Sequence, residues 1–486
     1  METSNNLIIT SPADSLRSDI IVIGSGPGGA VTACYLSEAG RDVLIIEEGP
    51  FLSLESALPF SRDEMTQKYR NGGLTATFGN PKISYVEGRC VGGGSEINSG
   101  LYHRLHSDIL DAWRDDFKVD GLNENQLRPH FEACEKELHI SLSPGPLSGA
   151  SIKLMEGANR LGWASSETPR LYQYQPDAKD GTKQSMTKTF IPRALAAGCR
   201  ILPNTRALKV QRNKGGWQII AEYHSSENIR SIIQLNATFV FLACGAIQTP
   251  NLLLKSGISL PSKTSLRCHP TVKVVARFPD QVNRANDGVP AHQIREFAPR
   301  FTLGSSISSV PYLALALADH PDQLMHLERD WQRMSIYYAM TTGGSGKIRS
   351  IPFFKDPFVS FALTENDLSN IQSALYNLCR CVLSAGADLA IPSIRGAPVL
   401  KSLSDLSLIP KTLPRGLTNL MTVHLFSSCP MGEDRARCVT NSYGKVFGLD
   451  GIWIADASIL CGPPGVNPQG TIMAITRRNV FDFLKK

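Results

Sequence analysis

The sequence predicts an α/β fold, α+β overall. A doubly wound nucleotide-binding domain made of separated segments is interrupted by a second domain built on an antiparallel sheet with helices. Three observations predict it. A β-α-β pattern with a glycine turn opens the chain, α/β alternation returns near the other end, and the stretch between them is strand-rich with a different rhythm. The expected division gives 15–120, 190–265 and 415–486 to the first domain, and 121–189 and 266–414 to the inserted one.

Asp19–Ile23 (DIIVI) is a short β-branched run of the buried-strand type. A glycine turn and a helix to about Ala39 follow, then a second strand, Asp42–Ile46, closed by Glu47. Leu127, Phe131, Cys134 and Leu138 recur at helical spacing. After a Pro- and Gly-bearing loop at 141–149, Ile152, Met155 and Leu161 predict another helix. Strands are expected at 216–222 and 238–243 and, beyond Cys268, at 271–278 and 357–363. Thr364 and Asp367 have the spacing of a capping box, which starts a helix whose buried face carries Leu368, Ile371, Leu375, Leu378 and Val382. A strand at 452–456, a Gly-Pro loop and a helix from about Gly470 complete the pattern.

With 42% hydrophobic and 19% charged residues, a chain of 486 residues buries large cores and is not disordered. The excess of 50 Lys and Arg over 44 Asp and Glu is mild, and no basic run exceeds the pairs Arg477-Arg478 and Lys485-Lys486, so no nucleic-acid partner is expected. The eleven cysteines are scattered, and the closest two, Cys379 and Cys381, have one residue between them, which is neither a redox nor a zinc spacing. Without a disulfide framework or a secretory pattern at the start, a cytoplasmic location is expected. Residues 20–37 carry no charge, but Gly24, Gly26, Pro27, Gly28 and Gly29 within them mark a loop motif and not an integral membrane segment.

Gly24-Ser25-Gly26-Pro27-Gly28-Gly29 reads G-x-G-x-x-G, and its setting between a strand and a helix makes the unit Rossmann-like. Gly24 permits the tight turn, Gly26 lets the backbone approach a pyrophosphate, and Gly29 lets helix and strand pack closely. The helix N-terminus offers free N–H groups to phosphate. Glu47 is placed to accept from ribose hydroxyls, and with Glu48 beside it a 2′-phosphate is repelled, so NADP is disfavoured. The motif alone does not separate FAD from NAD.

A second glycine cluster does. Residues 88–102, GRCVGGGSEINSGLY, resemble the first signature of the glucose–methanol–choline (GMC) oxidoreductases, which are FAD enzymes. Gly88, Arg89, Val91, Gly92, Gly93, Gly94, Ser95, Ile97, Asn98 and Tyr102 stand where that pattern expects them, while Leu105 replaces a usual small residue or proline. The resemblance implies backbone amides laid against the isoalloxazine and phosphates, with Asn98 donating near the flavin. A histidine that links FAD covalently in some relatives aligns with Ile97, so FAD is expected to be non-covalent. Residues 245–258 resemble the second signature, with Ser259 for a usual glycine, and 184–198 resemble the cholesterol-oxidase-like and long-chain alcohol oxidase branch. The likeness is looser over 266–414.

His424, within VHLFSSCPMG, sits where the family's C-terminal signature carries its catalytic histidine, and Asn467 where relatives carry a second His or an Asn. Ser427 and Pro430 depart from a common glycine and arginine. The resemblance implies oxidation of the CH–OH group of an alcohol, with hydride transfer to flavin N5 and His424 as general base. Asn467 would hydrogen-bond the hydroxyl, Pro468 would limit the conformations of Asn467, and Asp456 would meet the flavin side of the cofactor. The helix from Gly470 would point its positive end at the flavin. The expected substrate is an aliphatic or sterol-like small-molecule alcohol, with O2 or another acceptor taking the electrons. A sugar-type hydroxyl, or a non-oxidative lyase or decarboxylase reaction, is the alternative. Cys429 is read as packing, His103 and His106 as structural or substrate-edge residues without a metal, and His269 as a pocket residue.

Overall fold

In the computed structural model, which describes residues 7–175, 181–227, 229–285 and 287–486, the opening strand is Ser15–Ile23. It lies between two parallel neighbours, Val43–Ile46 and Arg230–Leu242. Arg200–Leu202 extends the sheet beyond the first, and Ile452–Ile454 pairs with the second, both again parallel. Ile20, Ile21, Val22 and Leu44 are fully buried, which is why these strands read as unbroken apolar runs. On one face the helix Pro27–Glu38 packs against Gln469–Phe483, so the two ends of the chain share one core. Thr205–Asn213 and Gly216–His224 continue the sheet as an antiparallel hairpin, and along the second strand buried and half-buried residues alternate.

The second sheet centres on Thr271–Arg277. Met334–Thr341 and Phe301–Ser305 follow on one side and Leu420–Thr422 and Ile83–Tyr85 on the other. The helix Glu365–Ser384 covers one face, and its N-terminus is the expected capping box, with Thr364 and Asp367 each satisfying the other's backbone N–H. Leu368, Ile371, Leu375, Leu378 and Val382 all lie in this second core.

Two expectations need correction. The helix Gly149–Leu161 exists, but it buries Ala150, Leu154, Gly157 and Ala158, while Ile152 is 37% exposed. Its contact face is built from small residues because a Cβ at Gly157 would stand 2.4 Å from the carbonyl oxygen of Cys381 on the neighbouring helix. The stripe Leu127, Phe131, Cys134 and Leu138 is buried as expected, yet its helix, Glu124–Glu137, packs on Gln469–Phe483 in the nucleotide-side core. Ile83–Tyr85 and Leu420–Thr422 conversely pair within the second sheet, so packing cuts across the expected boundaries at 120/121 and 414/415. A periodic stripe shows that a face is buried, not against what. Among the described residues no helix is long and apolar enough to cross a membrane.

Candidate active site

A cleft of about 840 Å³ is lined from both sheets, by Ile23, Ile46 and Thr205 on one side and Thr271, Lys273, Tyr338 and Met340 on the other. At the nucleotide end, Gly24 has φ +101° and its Cα faces the Ala243 carbonyl, where a side chain would collide at 2.3 Å. Gly28 abuts the Ala455 carbonyl and Gly29 that of Gly24, at 1.8 and 2.0 Å from an added Cβ. Gly26 is different: a Cβ there would meet nothing within 4 Å. The helix that begins at Pro27 has no side-chain cap, so its first N–H groups point unsatisfied at the cleft. A turn closed by backbone on every side except the one facing the cavity fits a pyrophosphate. Glu47 closes this end. Its carboxylate accepts from Ser25 N and Oγ (3.0 and 2.7 Å) and Gly49 N (3.0 Å), and burial pushes its pKa up. Glu48 turns away to Arg70, Arg89 and Arg206, which overcome its burial and hold its carboxyl at about 2.

The second glycine cluster divides. Gly93, Gly94 and Asn98 line the cleft, and Gly93 packs directly on Gly26. Gly29, Arg89, Val91, Gly92 and Ser95 do not line it. Val91 is core. Gly92 N donates to Ser25 Oγ (3.0 Å), which ties the two glycine loops together. Ser95 Oγ donates to Gly92 O (2.8 Å) and accepts from Met186 N (3.0 Å). Arg89 donates to Glu48 over a separate charged depression. These residues brace the loop from behind, a distinction that the motif does not carry. Asn98 donates to Gln469 Oε1, which fixes it to the first turn of the last helix.

His424 lies in the turn between Leu420–Thr422 and Leu425–Phe426. The first of these strands belongs to the large sheet and the second pairs with Leu266–Cys268 in another. His424 N donates to Thr422 Oγ1 (3.1 Å). Its ring stands between two partners, with Nε2 3.3 Å from the Asn467 carboxamide and Nδ1 3.0 Å from Nδ1 of the fully buried His269. Gly465 N–H donates to His269 Nε2 (3.2 Å), so a neutral His269 carries its proton on Nδ1 and donates it to His424. His424 then holds its own proton on Nε2, facing the Asn467 carboxamide. The opposite pair of neutral tautomers has each ring protonated on its other nitrogen, and there Asn467 Nδ2 donates to Nε2. His424 Nδ1 donates to His269, the Nε2 lone pair faces the cleft, and Gly465 N–H gives up its acceptor, at about 1–3 kcal/mol for a buried donor. Burial, with His103 nearby, holds the His424 imidazole down to about 4, so it is neutral at pH 7.

Asp456 ends the strand Ile452–Ile454, lines the cleft and accepts from Gly245 N (2.9 Å) and Ser458 N (2.8 Å), so it anchors the start of the helix Gly245–Lys255. Asn467 and Pro468 also line the cleft, and Pro468 caps the helix Gln469–Phe483, again without a side-chain cap. His103 and His106 part company: His106 caps a helix at the surface through Asp108 N, while His103 is half-buried near His424 and Asn467 with Nδ1 unpartnered. Burial, then Arg295, holds His103 at about 4. Cys429 is fully buried, and its thiol is pushed well up by burial. Gln469, Thr205, Ala243 and Cys244 line the cleft without standing out in the sequence, because strand ends and helix starts reach it through the fold, and 245–248 of the second signature line it beside them.

GMC oxidoreductase family models match residues 65–278 and 359–476, and a model for an NAD(P)-binding Rossmann-like domain matches 22–70. An uncharacterized GMC-type oxidoreductase of Sinorhizobium fredii is 37% identical over 476 residues, covering 95% of this chain and 94% of that one. A long-chain-alcohol oxidase of Arabidopsis thaliana is 22% identical over 94% of this chain and 67% of its own. The crystal structure of pyridoxine 4-oxidase from Mesorbium loti has the same fold, with a TM-score of 0.73 at 17% identity over 96% of this chain and 99% of that one. The two glycine loops, the cleft they form and these relatives converge: the chain belongs to the GMC oxidoreductases, and its cofactor is FAD.

Proposed function

We infer that the protein oxidises the CH–OH group of a small-molecule alcohol, with His424 accepting the hydroxyl proton. The observation that carries this reading is the neutral His424 imidazole beside the Asn467 amide on the cleft wall. In the base-competent tautomer, His424 Nε2 takes the proton while Asn467 donates to the oxygen as it gains alkoxide character. His269 accepts from His424 Nδ1 in that tautomer and holds the ring, and is a positioning residue. The Gly24–Gly29 turn would hold the pyrophosphate and Glu47 the ribose, while Gly93, Gly94, Asn98, Asp456 and Pro468 would flank the ring system. When bound, FAD supplies the two-electron acceptor for the hydride that leaves the carbinol carbon. Met340, Met421 and Leu315 make part of the wall apolar, which suits an aliphatic chain, as does similarity to proteins named long-chain-alcohol oxidases. The test is anaerobic mixing of the holoprotein with a panel of aliphatic, sterol and sugar alcohols, repeated in air. Bleaching by aliphatic alcohols is expected; a flavin that no alcohol bleaches removes the reading.

A further inference from the structure

The wall of the cleft opposite the nucleotide end is one face of the large sheet, and it carries an unexpected charge. Lys273, on Thr271–Arg277, lines the cleft. Its backbone is fixed on both sides, N–H to Ser393 Oγ (3.1 Å) and C=O from Ser393 N (3.0 Å). Among the described residues its ammonium has no hydrogen-bond or ion-pair partner. The carboxylates that line the same cleft, Glu47, Glu48, Glu87 and Asp456, lie at the nucleotide end and are engaged there. Burial alone pulls the lysine down, to about 8, with no acid opposing it.

The neighbour of Lys273 is also a donor. In the antiparallel register, Lys273 stands directly opposite Tyr338 on Met334–Thr341, which puts the two side chains on one face with Cβ atoms ~5 Å apart. The Tyr338 hydroxyl accepts from Gln293 Nε2 (2.8 Å), which orients it and leaves its own O–H free to donate. The Tyr338 ring, however, lies across Gly304 on the strand beyond, with its hydroxyl 2.4 Å from where a Gly304 Cβ would stand, so it points away from Lys273 and leaves the ammonium as the charged donor on this part of the wall. Thr271, one step back along the same face, pairs with Met421, and His424 lies just beyond. Lys273 is therefore on the substrate side of the cleft but ~7 Å further along the strand than the edge that meets the catalytic loop.

We propose that Lys273 binds a carboxylate, so that the substrate is an alcohol carrying a carboxylate remote from the oxidised hydroxyl carbon. This rests on the reading of the cleft as an alcohol-oxidising site and adds the chemical class of its substrate. A half-buried ammonium with no acid beside it has lost part of its hydration without gaining a counter-charge, and a ligand carboxylate supplies one. The aliphatic wall between the two ends takes the intervening chain.

Two measurements on the holoprotein separate the subsite from the reaction. The first titrates octanoate and octanamide as dead-end ligands, followed by perturbation of the flavin spectrum. Octanoate is expected to bind at least 10-fold more tightly; Lys273→Met should abolish that preference, Lys273→Arg retain it and Tyr338→Phe leave it unchanged. Flavin content and thermal melting confirm that each variant is folded, and should Lys273→Met fail to fold, Lys273→Gln and Lys273→Arg carry the test. Equal affinity for the two ligands, absent octanoate binding, or a preference that survives Lys273→Met or Lys273→Gln overturns the subsite. The second measures anaerobic flavin reduction by 8-hydroxyoctanoate and its methyl ester, with the acid expected to saturate at 10-fold lower concentration. Octanoate selectivity without reduction by any alcohol retains the subsite and removes the oxidation reading. Reduction by alcohols without selectivity for the acid does the opposite.

Discussion

In the proposed reaction the imidazole of His424 takes the proton, and its surroundings set the pH range over which it can act. Three ring systems face one another here: His424, His269 against its Nδ1, and His103, itself held neutral by burial and Arg295. A base must be neutral to accept a proton, and His424 becomes charged only as pH falls through about 4. Anaerobic flavin reduction should therefore stay level from pH 8 down to about 5, with its acid limb near 4 and not near the ordinary ~6.5. Stopped-flow rates across that range check this, and a limb at the ordinary value would show that burial does not control the ring. His424→Ala should slow reduction by roughly 10²–10⁴-fold with FAD retained, and Asn467→Ala by a factor nearer the lower figure. The double variant should fall short of the product of the two, because both groups hold one hydroxyl. His424 and Asn467 were legible in the sequence because each sits in a dense local motif. His269 was legible only as a pocket residue, and Lys273 not at all, since the meaning of each comes from surroundings brought by sheet pairing from far along the chain.

At the scale of an element, the glycine turn separates two roles that one motif string runs together. Gly28 is held against the Ala455 backbone, whereas Gly26 has space beside it and φ −63°, which any residue adopts. Gly28→Ala should destabilise the protein itself, by about 1–3 kcal/mol or more. Gly26→Ala should leave the melting temperature of the flavin-free protein unchanged yet weaken FAD retention, because the added methyl occupies the approach of the pyrophosphate. Comparing melting curves with and without FAD for both variants decides the matter; equal apo destabilisation would remove the distinction. The same contrast explains what was readable in the helices. The capping box at Thr364 and the large-residue stripe below it were plain, because both signals are local. The true face of Gly149–Leu161 was not, because it is made of small residues that matter only through the closeness of the helix they pack on.

For the molecule as a whole, residues of both sheets line the cleft, so FAD would bridge them. Binding should therefore raise the melting temperature of the entire protein, by an amount that grows with free FAD. Acid precipitation should leave all the flavin in the supernatant as FAD, since position 97 is an isoleucine without a nucleophile. Flavin pelleting with the protein contradicts this.

The pairing of Pro27–Glu38 with Gln469–Phe483 in one core bears on how the protein is made. A ribosome delivers the first of these helices about 430 residues before the second, an interval of roughly 20–90 s at ordinary translation rates. Throughout it the opening β-α-β unit has emerged with part of its apolar surface uncovered, and the last helix, whose first turn borders the cleft, is still missing. Nascent chains must therefore be sheltered from one another until Gln469–Phe483 has emerged, and cofactor loading has to await that helix.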